Sequence, residues 1–361
     1  MRFAHETLPQ RVVFAPNEAA GAIGDEVTRL GAERVMVITA PSSASLADAL
    51  TDALRVAHVH DEVVAHVPVE VAERAREAAA KPRADALVSV GGGSATGLAK
   101  AVAVTAGLPV IAVPTTYAGS EATDVWGLTR GTTKTTGVDA KALPRAIVYD
   151  ASLLRTLPVE RSVASGLTAL AHCVDAMWGP HADPIDRVLT GEAMRGLQQG
   201  LPAVKADPGG VKGHEQSLYG AYLAAVAFAS AGSGLHHKIC HVLGGMFHLP
   251  HAQTHAVVLP HVLALNTAHA PEAERRIAAA FASPNATEGL AALRARLDAP
   301  TALRDYGTPE DGITKAVDAI FAAAPSNNPA PLTPAKLTAL LRAAWEGAVP
   351  RPSLPKKANP L

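Results

Sequence analysis

The chain has 361 residues, of which 48% are hydrophobic and 4% aromatic, and 32 basic side chains nearly balance 33 acidic ones. This length exceeds the usual size of one domain and predicts two, with cores built mainly from small aliphatic side chains. The even charge balance lacks the basic surface of a nucleic-acid-binding protein, and no apolar run reaches the roughly 18 residues that span a membrane.

The compartment is predicted from the cysteines and from the N-terminus. Cys173 and Cys240 are too few for a disulfide framework and favour a reducing environment. The first ten residues, MRFAHETLPQ, show neither the basic start nor the apolar stretch of a signal peptide. We therefore expect a cytoplasmic protein that binds neither membranes nor nucleic acid.

Residues 1–158 alternate short β-branched runs with helical stretches, which predicts an α/β domain with a parallel sheet flanked by helices. Runs that are apolar without alternation indicate strands buried on both faces. Such strands are predicted at residues 34–39, 85–90, 109–116 and 145–150. The polar stretch 125–139, rich in Thr and Gly, predicts a hairpin at the rim.

The second half has a different character. Residues 159–361 show helical periodicity and almost no β-rich runs, so an all-α domain is expected, with the boundary near Leu157 and Pro158. Helices are predicted within 162–178, 218–246 and 334–347. The Pro-rich tail 350–361 is expected to be loosely held.

A glycine-rich loop follows the second predicted strand and opens a helix; it consists of Gly91, Gly92, Gly93 and Ser94. A helix N-terminus offers free backbone N–H groups to an anion, and glycine lets a phosphate approach the backbone. A tight turn without a ligand is the plain alternative, but the flanking strand and helix favour a pyrophosphate site. The G-x-G-x-x-G spacing of the usual dinucleotide motif is absent.

Short hydroxyl side chains follow the next predicted strand, in the stretch PTTYAGSEATD. Ligands of open α/β sheets lie beyond the carboxyl ends of the strands. Thr115, Thr116 and Ser120 are therefore predicted to contact the phosphate, ribose or nicotinamide of a cofactor. Tyr117 is a weaker candidate for the same region.

The end of the first predicted strand bears on the choice of cofactor. Thr39 is followed by Ala40 and no acidic side chain, and only an acid there would bind the ribose 2′-hydroxyl and repel a 2′-phosphate. No arginine favours the phosphate either. We therefore expect both NADH and NADPH to be accepted.

Histidines are concentrated in the stretch 234–255, which holds six of the fifteen in the chain. His237 and His241 are four residues apart and share a helix face. His251 follows ten residues after His241, and His172 lies on another predicted helix. A lone buried histidine is usually a core residue, but four that converge would each lose solvation without a partner. The density therefore suggests a metal site or a cluster of hydrogen-bond donors.

The order GGGS, then PTTYAGSEAT, then GLHHKICHVLGG and LPHAQTHAVVLPH resembles the iron-containing alcohol dehydrogenase superfamily, and looks most like its maleylacetate reductases. The resemblance covers nearly the whole chain. It implies a dehydroquinate synthase-like fold and a homodimer. It also implies reduction of the carbon–carbon double bond of maleylacetate to 3-oxoadipate in the degradation of aromatic compounds, and, together with the lack of a nearby arginine, NADH as the preferred cofactor.

The resemblance also bears on a metal. Superfamily members that hold a metal bind it through one Asp and three His, which by position fall on Thr168, His172, His237 and His251. A neutral hydroxyl replaces a carboxylate poorly, so we expect no metal, as in maleylacetate reductases, which lack this Asp. Two alternatives stay open: three His still hold Fe²⁺ or Zn²⁺ in an alcohol or polyol dehydrogenase, or Asp175 completes the metal site.

A metal-free site suits an enone, because positioned donors can stabilise an enolate without a Lewis acid. The expected donors are four histidines, partly protonated and therefore attractive to a small dicarboxylate substrate: His172, His237, His241 and His251. Lys238 is expected to bind a substrate carboxylate or to point away, and His236 to face solvent or the cofactor. A non-catalytic nucleotide-binding protein is the remaining alternative, against which the retained histidines argue.

Overall fold

The computed structural model describes residues 2–131 and 133–350, so that the predicted tail beyond residue 350 lies outside the described residues. Strands and helices alternate in the N-terminal region. The strands are β1 (Arg11–Phe14), β2 (Val35–Thr39), β3 (Val56–His60), β4 (Ala86–Gly91), β5 (Val110–Pro114), β6 (Val125–Arg130), β7 (Thr133–Val138) and β8 (Ala146–Tyr149). The helices between them are α1 (Ala19–Leu30), α2 (Ala44–Thr51), α3 (Val69–Ala80) and α4 (Gly93–Ala106).

The described part of the C-terminal region contains helices and connecting loops but no strand, as predicted. Its helices are α5 (Val159–Ala176), α6 (Pro184–Ala206), α7 (Val211–Ala231), α8 (Leu235–Phe247), α9 (His251–Thr267), α10 (Pro271–Ala280), α11 (Ala286–Arg296), α12 (Gly312–Ala323) and α13 (Pro334–Glu346). The division into two domains at residue 158 stays a prediction, although α5 begins at the next residue.

Six strands form one parallel sheet in the order β1-β8-β5-β4-β2-β3. Helices cover both faces of this sheet. Met36 and Ile38 of β2 pack with α3 and α4, whereas Val35 and Val37 pack on the other face with α1 and α2. The doubly covered sheet explains why its central strands are uniformly apolar, and it confirms the predicted α/β fold class.

The four predicted strands are present with ends shifted by one or two residues. The largest shift concerns β5, which ends at Pro114, so that Thr115 and Thr116 lie in the following loop. The sequence pattern missed β1 and β3. Both lie at the edges of the sheet and are partly exposed, so they lack the continuous apolar run of a central strand.

The predicted rim hairpin is confirmed. β6 and β7 pair in antiparallel fashion from Val125 opposite Val138 to Arg130 opposite Thr133. Thr129 of this hairpin donates its backbone N–H to the carbonyl of Val67 at 3.0 Å. The hairpin is thereby attached to the segment that precedes α3, and its strand β7 contacts α8.

The predicted continuous helix 218–246 is wrong. α7 ends at Ala231 and α8 begins at Leu235, and the chain bends by 98° between them. Gly232 has a φ of +83° and a ψ of 169°, a conformation that glycine adopts without strain. Apolar periodicity on both sides hides such a break. No single described helix is long and apolar enough to cross a membrane, and α7 and α8 satisfy that criterion only as this bent pair.

His5 attaches the segment before β1 to the C-terminal region. Its Nδ1 lies 2.8 Å from Asp183 Oδ2 and 3.7 Å from Asp186 Oδ1, and both carboxylates are buried at the start of α6. The hydroxyl oxygen of Ser230 lies 3.3 Å from the same nitrogen. The N-terminal segment is therefore held at a point far along the chain from β1.

Replacing His5 with alanine is expected to destabilise the protein by about 2 kcal/mol, because it removes the imidazole from two buried carboxylates and leaves them with their backbone N–H partners. Urea denaturation measures the loss. His269→Ala, at an exposed position, is the matched control and is expected to change little. Equal midpoints for the two variants would show that the His5 contact contributes nothing.

Candidate active site

The glycine loop lies where β4 turns into α4. A Cβ atom on Gly92 would lie 3.0 Å from Thr116 Cγ2, and one on Gly93 would lie 3.4 Å from Ala118 Cβ. The glycine loop therefore packs directly against the loop after β5, and larger side chains would push the two apart. Beside this contact the first turn of α4 presents free backbone N–H groups, which suit an anion such as a pyrophosphate.

Lys100 holds the loop after β5 against α4. Its ammonium donates to the carbonyl of Ser120 at 2.7 Å and to the carbonyl and hydroxyl oxygens of Thr123 at 2.8 and 3.0 Å. Burial lowers the pKa of Lys100 to about 7, against the raising effect of Glu121. A lysine in an Ala-rich helix looks like an ordinary solvated residue, so nothing in the sequence singled it out.

Gly119 brings the same loop into contact with the histidines. Its φ of +74° favours glycine. A Cβ atom here would lie 2.9 Å from Ala225 Cβ on α7 and 3.3 Å from the Cε1 and Nδ1 atoms of His172 on α5. The glycine loop, the loop after β5 and His172 are thus consecutive neighbours in space.

The other predicted cofactor contacts lie at the same strand ends. Thr115 donates its backbone N–H to the carbonyl of Gly91 at 3.0 Å, and Ser94 is half-buried in the first turn of α4. Thr39 is fully buried in β2, whereas Ala40 after it is half-buried. Of these two, only Ala40 is accessible to a ligand.

The predicted contact Ser120 and the weaker candidate Tyr117 have different surroundings. The Tyr117 side chain is fully buried, and its hydroxyl lies 2.5 Å from His214 Nδ1, so it is packed away from the glycine loop. The Ser120 hydroxyl is buried and has no hydrogen-bond partner among residues 2–131 and 133–350. A Cβ atom on Gly93 would lie 3.7 Å from it. Ser120 is therefore a free hydroxyl beside the predicted phosphate site.

The histidine cluster combines rings from α5, α8 and α9. The rings of His172 and His237 stack with centroids 5.0 Å apart, and His241 lies 6.1 Å from His237. His255 lies 4.8 Å from His237 and 4.3 Å from His251. The four predicted histidines therefore lie together. The sequence analysis did not select His255, although its spacing of four from His251 on one helix was an available signal.

The imidazoles of this cluster are neutral at neutral pH. Burial lowers the pKa of His172 to about 4. Burial also lowers the pKa of His241 to about 3, followed by the charges of Lys134 and Lys238. The expectation of partly protonated histidines is therefore wrong, since desolvation disfavours the charged form. Each neutral ring donates from one nitrogen only, and the tautomer decides which nitrogen that is.

His236 lies behind the cluster and is fully buried. Its Nε2 is 2.9 Å from His255 Nδ1 and 3.6 Å from Cys240 Sγ. It is not exposed to solvent. It contacts the ring of His255 and helps to fix the orientation of that ring.

Two lysines place positive charge at the cluster. Lys238 is half-buried beside His237 on α8. Lys134, on β7 of the rim hairpin, lies close enough that its charge contributes to lowering the pKa of His241. No described carboxylate forms an ion pair with either lysine. Lys134 was missed because the hairpin is remote in sequence from the histidines.

The positions that bind a metal in superfamily members do not form a complete ligand set in this chain. Thr168 is buried one turn before His172, and its hydroxyl donates to the Ala164 carbonyl at 3.1 Å. Groups of three possible ligand atoms within 4.8 Å of one another occur elsewhere in the described chain, namely His236–Cys240–His255 and His5–Asp183–Asp186. The residues at the superfamily positions thus do not fit a metal held in the usual way.

Asp175 does not supply the missing ligand. Its Oδ2 accepts the backbone N–H groups of Gly234 and His237 at 3.1 Å each, and His237 Nδ1 lies 2.7 Å from the same oxygen. Its Oδ1 lies 3.4 Å from the backbone nitrogen of His236. Burial raises the pKa of Asp175 to about 7, against the lowering effect of these backbone N–H groups. The carboxylate is therefore already hydrogen-bonded to the first residues of α8.

The fold and this site are those of an oxidoreductase. A family model for the Fe-containing alcohol dehydrogenase family, C-terminal, matches residues 162–345, and one for iron-containing alcohol dehydrogenase matches residues 9–151. The chain belongs to the iron-containing alcohol dehydrogenase family.

Relatives over the full length agree with this assignment. A maleylacetate reductase of Sphingobium indicum is 41% identical, covering 97% of this chain and 99% of the relative. The structure of an iron-containing alcohol dehydrogenase from Corynebacterium glutamicum is 57% identical, with a TM-score of 0.93 and coverage of 96% and 97% of the two chains. The structure of a maleylacetate reductase from Agrobacterium tumefaciens is 38% identical, with a TM-score of 0.91 and coverage of 97% and 100%.

Proposed function

We propose that the chain is a nicotinamide-dependent reductase that converts maleylacetate to 3-oxoadipate without a metal. The observation that carries this proposal is Thr168, which stands at the metal-binding carboxylate position beside a retained histidine cluster. Curated relatives that are 37–45% identical are maleylacetate reductases, which supports the same substrate. NADH, when bound, supplies a hydride to the alkene carbon β to the ketone.

The N-terminal region binds and orients the cofactor in this proposal. Backbone N–H groups at Gly92 and Gly93 bind the pyrophosphate, and the free hydroxyl of Ser120 donates to it. The side chains of Thr115 and Thr116 contact the remaining cofactor groups at the ends of β4 and β5. The contact between Gly119 and His172 brings this surface next to the histidines, as transfer between close neighbours requires.

The C-terminal region stabilises the negative charge of the enolate and supplies the proton in this proposal. Reduction of the alkene leaves an enolate, whose oxygen accepts an N–H from the neutral ring of His172. His237 takes up a proton from solvent and delivers it to the adjacent carbon. Lys134 and Lys238 bind the two substrate carboxylates, a role that the neutral imidazoles cannot fill. His241 and His251, at the solvent-accessible side, line the path of the substrate.

The second candidate is a metal-dependent alcohol or polyol dehydrogenase. It is favoured by the structure that is 57% identical to this chain, which is that of an iron-containing alcohol dehydrogenase. In this candidate Thr168 and water would complete a site with His172, His237 and His251. A neutral hydroxyl that already donates to a helix carbonyl is a weak ligand, so we favour the first candidate.

A chelation experiment separates the two. We expect the purified protein to contain substoichiometric metal and to keep its maleylacetate reductase activity after treatment with EDTA. NADH oxidation and metal content are measured on the same sample. Stoichiometric iron or zinc, with activity abolished by chelation and restored by the ion, would establish the metal-dependent dehydrogenase instead.

The remaining features of the proposal rest on the sequence. NADH is the preferred cofactor and NADPH is accepted, since the accessible Ala40 carries no charge. A homodimer is proposed, with the edge strand β1 and its exposed Phe14 as the available surface. The protein is proposed to act in the cytoplasm on a small dicarboxylate substrate. It is proposed to bind neither nucleic acid nor membranes.

A further inference from the structure

Asp175 is surrounded by hydrogen-bond donors from the start of α8. Three contacts meet at its Oδ2: the backbone N–H groups of Gly234 and His237 at 3.1 Å each, and His237 Nδ1 at 2.7 Å. An oxygen that already accepts two N–H bonds is a poor place for a proton of its own. The carboxylate is therefore the acceptor, and His237 donates its Nδ1–H.

The close approach of this carboxylate depends on Gly234. A Cβ atom there would lie 2.5 Å from Asp175 Oδ1, so any larger residue would push the carboxylate away from α8. The bend between α7 and α8 ends at Gly234, and both features allow the contact between Asp175 and the start of α8. Asp175 and His237 are 62 residues apart in the chain and are both buried.

The other ring nitrogen of His237, Nε2, is available to exchange a proton. Its Nε2 is buried and has no hydrogen-bond partner in the described part of the chain. A neutral ring has one N–H, and a carboxylate at Nδ1 places that hydrogen on Nδ1 and leaves Nε2 as the atom that takes up and gives away a proton. The stacked ring of His172 and the ring of Phe228, 4.3 Å away, prevent rotation.

We propose that Asp175 is a positioning residue that fixes the tautomer and orientation of His237, so that Nε2 exchanges the proton of the reaction. The tautomer does not depend on the substrate, whereas the catalytic consequence rests on the proposed function. In the reductive direction, Nε2 of the neutral His237 ring takes up a proton from solvent and gives it to the enolate carbon. The ring returns to the Nδ1–H tautomer, which Asp175 has held throughout.

Replacing Asp175 with asparagine tests this role. Because all three donors meet at Oδ2, the uncharged amide either keeps its oxygen there as a weaker acceptor or turns its NH₂ toward Nδ1 and against the two backbone N–H groups, and both arrangements weaken the preference for the Nδ1–H tautomer. We expect kcat to fall about 10- to 100-fold, while KM and the Kd of NADH change by less than about threefold. Asp175→Asn in a His237→Gln background should cost no further activity, because both changes remove the same function.

The tautomer itself is measured by ¹⁵N NMR on histidine-labelled protein, with the His237 signal assigned from its loss in His237→Gln. The wild type should show a protonated Nδ1 and a bare Nε2, and Asp175→Asn should shift the ring toward the Nε2–H tautomer. Asp183→Asn is the matched control. That aspartate is also buried, caps a helix and contacts a histidine, but outside the cluster, and kcat should change by less than about threefold.

Several outcomes would overturn the proposal. These are a bare Nδ1 in the wild type, an unchanged tautomer in Asp175→Asn, a loss of kcat no greater than in Asp183→Asn, or additive losses with His237→Gln. The wild-type spectrum decides even where a variant does not fold. A wild type with the predicted tautomer but without maleylacetate turnover would reject the proposed substrate and leave the tautomer assignment intact.

Discussion

Thr168→Asp is expected to lower maleylacetate turnover about 100-fold while converting the protein into one that binds a divalent metal. The new carboxylate would stand one helical turn before His172 in a buried environment, where its charge is weakly screened. It would repel the carboxylates of the substrate and compete with the enolate for the N–H of His172. With a metal present, the same carboxylate would complete the usual ligand set of the superfamily.

Turnover by NADH oxidation and metal content by elemental analysis are measured on the same preparations. Thr168→Val is the matched control, since valine has the shape of threonine without the hydroxyl. It should retain activity within about threefold, because the hydroxyl only bonds its own helix. If Thr168→Val instead lost both metal and activity, the hydroxyl would be a metal ligand and the metal-free mechanism would be wrong.

Gly92→Val is expected to weaken NADH binding about 100-fold or more, because the glycine loop packs closely against the loop after β5 and a branched side chain would separate them. Even a Cβ atom would lie 3.0 Å from Thr116 Cγ2, and valine adds two methyl groups beyond it. The φ of −80° at this position is compatible with valine, so the loss would come from separating the two loops rather than from backbone strain.

Fluorescence titration with NADH measures the Kd, and circular dichroism reports whether the fold is retained. Gly21→Val on α1 is the control, since no heavy atom lies within 4 Å of its Cβ position. It should bind NADH like the wild type. Unchanged affinity in a folded Gly92→Val protein would place the cofactor elsewhere and remove the glycine loop from the site.

The sequence by itself determined the fold class, the order of the main strands and the residues that meet at the glycine loop. These features are local. A buried parallel strand is apolar along its length, and a glycine loop between a strand and a helix is recognisable where it stands. The absence of a carboxylate at Thr168 is likewise a property of one position. Edge strands such as β1, and the break at Gly232, escaped because their local patterns resemble those of loops and helices.

Only the tertiary structure decided the protonation state of the histidines and the residues that contact them. The imidazoles are neutral because helices pack around them, and desolvation depends on that packing rather than on the spacing of residues. Asp175 was a possible metal ligand from its place after His172, yet its carboxylate holds the start of α8 and His237, 62 residues away. Lys134 reaches the cluster from a hairpin in the other half of the chain. Periodicity reports which face of an element is buried, but the side chains that meet across two elements are determined by how the elements pack.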